Sequence, residues 1–211
     1  VSRGLGDVYK RQDLKKYKLP KIIKINYKLF KDVDVIFTSL PNGESQKIAN
    51  KLLKKNIMID LSADFRLTNA KIYNKYYGIK HISLNNLKKS IYGLTEINKK
   101  NLSKGKIIAC PGCYPTSILL PLFPLIKKNL IDFKNIVIDS KSGFSGAGRG
   151  VHKKFKNKNL YGSTSAYGIG SHRHNAEIQQ ELSYIKKNIE FTFTPHIPVS
   201  YTHLTLPTTP V

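Results

Sequence analysis

The chain has only two cysteines, and both fall in the run ACPGCYPT at 109–116. The second, Cys113, follows a short apolar stretch (KIIAC, 106–110) and a Pro-Gly turn, and it precedes a longer apolar stretch (TSILLPLFPLI, 116–126). These read as a strand, a tight turn and a helix, with the thiol where the helix begins. The first turn of a helix presents N–H groups without helical partners and a positive potential, a setting that favours a thiolate. The same N–H groups can hold an oxyanion as a thiolate attacks an activated carbonyl. Gly112 lets the backbone approach a substrate with no side chain between. The chemistry predicted is acyl transfer through a cysteine thioester.

Two other uses of the CPGC string compete with this one. A C-x-x-C pair can be a redox dithiol. A thioredoxin-like motif, however, follows the first strand of its domain, whereas this one comes after at least three strand signals. A zinc site needs ligands beyond two cysteines, and no metal is expected. Cys110 reads as a buried structural cysteine.

The elements that would position Cys113 alternate strand and helix, the pattern of an α/β fold. DVDVIFTSLP (32–41) reads as a buried parallel strand. Residues 45–55 place Ile48, Ala49, Leu52 and Leu53 at helical spacing, and NIMIDLS (56–62) is a second buried strand. Together they make a βαβ unit. Residues 70–92 suggest short helices, 96–102 another helix, and 106–110 the third strand. Beyond Asp132 the pattern changes: NIVIDSKSGFSGAG (135–148) is a strand entering a glycine-serine loop, and IEFTFTPHIPV (189–199) alternates as a strand of a different sheet. The expected organisation is a partial Rossmann-type nucleotide-binding domain at 13–116 followed by part of a mixed α/β catalytic domain at 117–199.

The two ends differ in composition from the rest. The first twelve residues hold two of the five arginines, and the last thirteen hold no lysine in an otherwise lysine-rich chain. Segments 1–12 and 200–211 resemble translated adapter or assembly read-through and are expected to be non-native.

Composition bounds the function class. At 211 residues and 40% hydrophobic content the chain can fill a core. The longest apolar run, 118–126, is too short to span a membrane and contains Pro121 and Pro124. No signal peptide is visible and a disulfide scaffold is excluded, so a cytoplasmic location is expected. The formal charge of +23 raises nucleic-acid binding. Arginine, the usual reader of base edges, occurs only five times, however, and the lysines are spread along the chain. A solvated, lysine-coated enzyme surface is the better reading, with no nucleic-acid or membrane partner.

Seven motifs bring a family into view. They are SLPNGES (39–45), IDLSADFRL (59–67), YGLTEIN (92–98), PGCYPT (111–116), SGFSGAGR (142–149), SHRHNAEI (171–178) and FTPHIP (193–198). In this order they resemble the N-acetyl-gamma-glutamyl-phosphate reductases of the semialdehyde dehydrogenase superfamily. The resemblance implies a Rossmann-type NADP domain joined to a mixed α/β catalytic domain, in a homo-oligomer. It also implies a reaction in arginine synthesis: NADPH-dependent reductive dephosphorylation of N-acetyl-glutamyl phosphate to the semialdehyde, through a thioester on Cys113. Related semialdehyde dehydrogenases, acting on aspartyl phosphate or a carrier-bound aminoadipyl derivative, are the neighbouring readings. A basic nucleic-acid-binding protein and an inactive fragment stand further off.

The resemblance also assigns residues. His174 takes the acid/base role, its imidazole near neutral pKa moving the thiol proton. Arg149, His172, Arg173 and Glu177 are assigned to the substrate, Glu177 alternatively to orienting a histidine or Arg173. Ser39, Leu40, Pro41, Ser62, Ala63, Ser142, Gly143, Ser145 and Gly146 are assigned to NADP. Asp64 and Arg66 are expected to form a structural pair, His196 to be structural, and His81 and His152 to lie on the surface. The family usually has proline at Ala176 and histidine at Asn42. Its glycine-rich phosphate loop would precede this stretch, so the chain alone is expected to bind NADP poorly.

Overall fold

The computed structural model describes residues 23–53, 55–143 and 163–199. Segments 1–12 and 200–211 lie outside these residues, as do Ser145, Gly146, Arg149 and His152. The chain forms two compact units. One comprises Ile25–Ile138 with Gly170–Thr192, and the other includes the described residues 139–143, 163–169 and 193–199.

In the first unit the strands are β1 (Val35–Thr38), β2 (Ile57–Asp60), β3 (Ser90–Tyr92) and β4 (Ile107–Ala109). They pair in the order β1-β2-β4-β3, and every pairing is parallel. Parallel pairing brings all four C-terminal ends to one edge, where open α/β sheets bind ligands. Helices α1 (Ser45–Leu52), α2 (Ala70–Tyr77), α3 (Leu84–Leu87), α4 (Thr95–Leu102), α5 (Cys113–Lys127) and α6 (His174–Ile185) complete the unit. The register sets Ile36 opposite Met58 and Met58 opposite Ile107, so the three share one face. They pack with Ala49 and Leu52 of α1, Phe65 and Leu87 in the main core. Met58 is 0% exposed, and truncating it to alanine would cost about 2–5 kcal/mol.

Strand β1 departs from the buried strand expected. Its residues alternate, with Ile36 buried but Val35 39% and Phe37 70% exposed. Among the described residues β1 pairs with β2 alone, so it is an edge strand covered on one face. The lysine-rich stretch 70–92 also yields more than helices, because its last three residues form β3.

The start of α1 has no side-chain cap of its own. Asp64, four residues beyond β2, supplies one: its carboxylate accepts from Gly43 N at 2.7 Å and Gln46 N at 3.0 Å, and from the Tyr73 hydroxyl at 2.6 Å. Placing an acceptor on the orphan amides satisfies groups that burial would otherwise penalise. The expected Asp64–Arg66 pair is therefore corrected, since both oxygens of Asp64 serve α1 and Tyr73. His81 is corrected too. It is 3% exposed, with Nε2 2.9 Å from the Asp64 carbonyl oxygen and Nδ1 accepting from Ser83 N, and burial holds its pKa down.

A second sheet has the order β5 (Ile136–Lys141), β7 (Phe191–Val199), β6 (Ser163–Ala166). Strands β6 and β7 are antiparallel, with Ala166 opposite His196. Ser142 N donates to the His196 carbonyl at 3.0 Å, and His196 Nδ1 lies 2.7 Å from Asp139 Oδ1. Among the described residues no helix is long and apolar enough to cross a membrane.

Candidate active site

Strand β4 runs out at Ala109, and the next three residues lead into α5. Cys110 N extends the parallel ladder by donating to the Asp60 carbonyl at 2.8 Å. Its own carbonyl accepts from Arg66 Nε at 2.7 Å. Gly112, in extended conformation, is the N-cap of α5, and its carbonyl accepts from Thr116 N and Thr116 Oγ1 at 3.0 and 2.9 Å. Cys113 is the first residue of the helix and is exposed. Cys110 is half-buried, and burial pushes its thiol pKa up, the behaviour of a structural rather than a reactive cysteine.

Helix α6 begins at His174, which packs against this turn. A Cβ placed on Gly112 would lie 2.6 Å from His174 Nε2, so only glycine lets the ring come this close. His174 is 7% exposed. Its backbone N–H donates to His172 Nδ1 at 3.1 Å, and the two imidazoles meet edge to face at 4.8 Å. The Tyr114 ring stands 5.6 Å from His172 and 5.9 Å from His174. Accepting at Nδ1 fixes His172 as the neutral tautomer with its proton on Nε2.

Electrostatics agree with that geometry. Burial, then Arg173, pushes the His172 pKa down to about 4. Burial, then His172, Arg66 and Arg173, pushes that of His174 down to about 3. The expected imidazole near neutral pKa is thus corrected: both rings are uncharged throughout the physiological range. His174 Nδ1 is buried with no hydrogen-bond partner among the described residues. Arg173 is exposed, with its guanidinium 5.9 Å above the Tyr77 ring, whose hydroxyl burial pushes up to about 12.

Glu177, one turn into α6, is 0% exposed. Its Oε1 accepts from Gly112 N and from the Tyr92 hydroxyl, both at 2.8 Å. Among the described residues Oε2 makes no hydrogen bond, but it faces Arg66 Nη1 at 3.6 Å. Burial raises the Glu177 pKa, and Arg66 and the two hydrogen bonds oppose that rise. The substrate-binding assignment of Glu177 is corrected, because a carboxylate enclosed and committed in this way holds the turn that carries Cys113.

The structure gathers Cys113, His172, Arg173 and His174 in one unit. Ser142 and Gly143 belong to the other. Ser39, Leu40 and Pro41 are exposed directly after β1, on the ligand-binding edge of the sheet. Ser62 and Ala63 are 5% and 4% exposed, and the Ser62 hydroxyl is spent on Asp60 Oδ2 at 2.7 Å and on accepting from Asp64 N. Asp60 also accepts from Thr38 Oγ1 and Ser45 Oγ, each at 2.8 Å, which locks the ends of β1 and β2 together. The β1 turn therefore leaves Ser39, Leu40 and Pro41 open to a ligand, while Ser62 and Ala63 are committed to the interior. Tyr92 and Arg66 lay inside recognised motifs, yet their contacts to Glu177 and Cys110 bridge 85 and 44 positions and left no local signal.

The semialdehyde dehydrogenase NAD binding domain matches residues 3–105, and the semialdehyde dehydrogenase dimerisation domain matches 113–201. The chain belongs to the semialdehyde dehydrogenase family. A relative from Clostridium novyi named N-acetyl-gamma-glutamyl-phosphate reductase is 47% identical over 173 residues, covering 79% of this chain and 49% of the relative. One from Alkaliphilus metalliredigens with the same name is 45% identical, covering 80% and 49%. A third, from Arabidopsis thaliana, is named as a probable chloroplastic N-acetyl-gamma-glutamyl-phosphate reductase and is 44% identical, covering 87% and 46%. The chain thus spans about half the length of the curated relatives it matches. Aspartate semialdehyde dehydrogenase II from Vibrio cholerae, a crystal structure, superposes with a TM-score of 0.53 at 14% identity, covering 80% of this chain and 52% of that one. At that identity the likeness is one of fold alone.

Proposed function

We propose that the protein to which this chain belongs is an NADPH-dependent reductase of an acyl phosphate, N-acetyl-glutamyl 5-phosphate, producing N-acetyl-glutamate 5-semialdehyde for arginine synthesis. The observation that carries this reading is the exposed Cys113 at the N-terminus of α5, with the neutral His174 packed against Gly112 beside it. Relatives 43–47% identical bear the name of that reductase, which supports the substrate.

The Cys113 thiolate forms a bond to the acyl carbon, the bond from that carbon to the phosphate oxygen breaks, and phosphate leaves. The amides that open α5 face the carbonyl oxygen as it gains charge. His174, uncharged, takes the thiol proton and later returns it to the oxygen of the hemithioacetal. Its low basicity comes first from burial, then from His172 and the nearby Arg66 and Arg173. An anionic phosphoryl group beside Arg173 offsets the cationic field and raises the affinity of His174 for a proton. Ser39, Leu40 and Pro41 would hold a nicotinamide, which would supply the hydride that reduces the thioester, and breaking of the C–S bond of the resulting hemithioacetal then frees the semialdehyde and the Cys113 thiolate. Arg173 and His172 hold the substrate anion, a role the motif SGFSGAGR also gives Arg149, while its Ser142, Gly143, Ser145 and Gly146 are assigned to the cofactor. NADP rather than NAD, a homo-oligomer and a cytoplasmic location belong to this proposal.

The test is phosphate-dependent reduction of NADP with N-acetyl-glutamate semialdehyde, measured on the full-length gene product with and without Cys113→Ser. A loss of at least about 10³-fold in the variant is expected. Equal rates would overturn the covalent mechanism, and activity with aspartate semialdehyde alone would move the substrate to the aspartyl branch.

A further inference from the structure

The turn that presents Cys113 is held by its backbone at two points, and both holds lead to one side chain. At the first, Arg66 Nε donates to the Cys110 carbonyl at 2.7 Å. At the second, Gly112 N donates to Glu177 Oε1, and Glu177 Oε2 faces Arg66 Nη1 at 3.6 Å. The path from Arg66 to Cys110, Gly112, Glu177 and back is a closed ring with Cys113 as the next residue. The Arg66 and Glu177 side chains are 11% and 1% exposed, so water does not screen or replace these contacts. The third edge of the guanidinium donates through Nη2 to the Leu61 carbonyl at 2.9 Å, which anchors the ring to the end of β2.

The chemistry calls for arginine. A planar fork presents donors in several fixed directions at once, while an ammonium presents a point charge on a flexible stem. Three separated acceptors at these distances are met by a guanidinium and by no other side chain.

We propose that Arg66 is a positioning residue for the Cys113 nucleophile, holding the 110–112 backbone so that Gly112 stays against His174 and the first residue of α5 keeps its place beside that contact. This rests on Cys113 acting as the nucleophile described above. Arg66 acts through the turn and touches no reacting atom.

The experiment uses the whole 211-residue chain, which needs neither substrate nor cofactor for the measurement. Alkylation of Cys113 by iodoacetamide is followed between about pH 5 and 9 by mass spectrometry of the Cys113 peptide, with thermal unfolding as the check on fold. The parent, Arg66→Lys, His174→Asn and the double variant are compared. Arg66→Lys is expected to slow alkylation about tenfold near pH 7, and to displace the pH profile toward that of His174→Asn. In the His174→Asn background the same substitution is expected to change the rate less than about twofold, because both act on one arrangement. An unchanged rate and profile in Arg66→Lys would overturn the proposal, as would a full effect persisting without His174. Failure of Arg66→Lys to fold would overturn it as well, by making Arg66 a determinant of the fold. A parent enzyme that reduces no acyl phosphate would leave this result standing and sink only the reductase reading. An inert Cys113 in the parent would sink both.

Discussion

Gly112 precedes Cys113 and lies directly against the His174 imidazole, and the cost of any side chain there can be read from its surroundings. A methyl group would meet His174 Nε2 at 2.6 Å, and the His174 ring is hemmed in by Tyr114 and His172. Gly112→Ala is expected to destabilise the chain by about 1–3 kcal/mol through overpacking. It should also slow Cys113 alkylation at least about tenfold, a larger effect than the stability loss explains. Urea unfolding and the alkylation rate check this together. A variant as stable and as reactive as the parent would mean that the ring does not sit against this turn. The histidines set an acid limit. Their folded pKa values lie below the ordinary 6.5, at about 4 and about 3. The stability they contribute is therefore fully present above about pH 6.5 and lost as pH falls through the folded values. The chain should lose a few kcal/mol of stability between about pH 6.5 and 4, and His174→Asn should flatten that limb. Equal slopes in denaturation curves at a series of pH values would refute the assignment.

Helix α6 carries two buried carboxylates one turn apart, Glu177 and Glu181, at 0% and 6% exposure. Glu177 has Arg66, Gly112 and Tyr92 for partners, while Glu181 has one hydrogen bond, from Gln180 at 2.8 Å. Burial therefore raises the Glu181 pKa to about 7, with Glu177 adding to the rise. A raised carboxylate stabilises the fold below its unfolded pKa and loses that contribution as pH rises through the folded one. Glu181→Gln should match the parent at about pH 5 and exceed it by roughly 1–3 kcal/mol above about pH 8. Chemical denaturation at those two pH values decides it, and a variant less stable at both would show that Glu181 has a cationic partner. None of this was legible in SHRHNAEI read as a string, which places Glu177 three residues beyond His174 and no more. The strands β1, β2 and β4 and helix α1 were legible, because apolar periodicity reports which face meets a core. Strands β3 and β6, with sequences SIY and STSA, were not, since three or four residues with little apolar content have no period to read. The place of Cys113 at the start of a helix was legible because it is local to a strand, a turn and an apolar stretch. Arg66 and Glu177 act on backbone atoms 44 and 65 positions away, and only the folded chain shows which ones.

At the scale of the whole chain, thirty-six cationic residues face thirteen acidic ones, leaving +23. Among the described residues the exposed ion pairs are few, Lys47–Glu44 and Lys141–Asp139, and exposed pairs contribute at most about 1 kcal/mol each. Self-repulsion among lysines outnumbers attraction, and compacting the chain brings those charges together. Raising ionic strength shortens the Debye length from about 20 Å near 0.02 M to about 4 Å near 0.5 M, which screens the many repulsions more than the few attractions. The thermal midpoint should therefore rise by several degrees as sodium chloride is raised over that range, corresponding to roughly 1–2 kcal/mol for a chain of this size. Scanning calorimetry at constant pH measures it. A midpoint that falls with salt would mean that ion pairs, not repulsion, dominate the surface. Weak retention on a polyanion should disappear over the same range, since a diffuse lysine coat without arginine forks gives only a salt-sensitive, sequence-independent attraction.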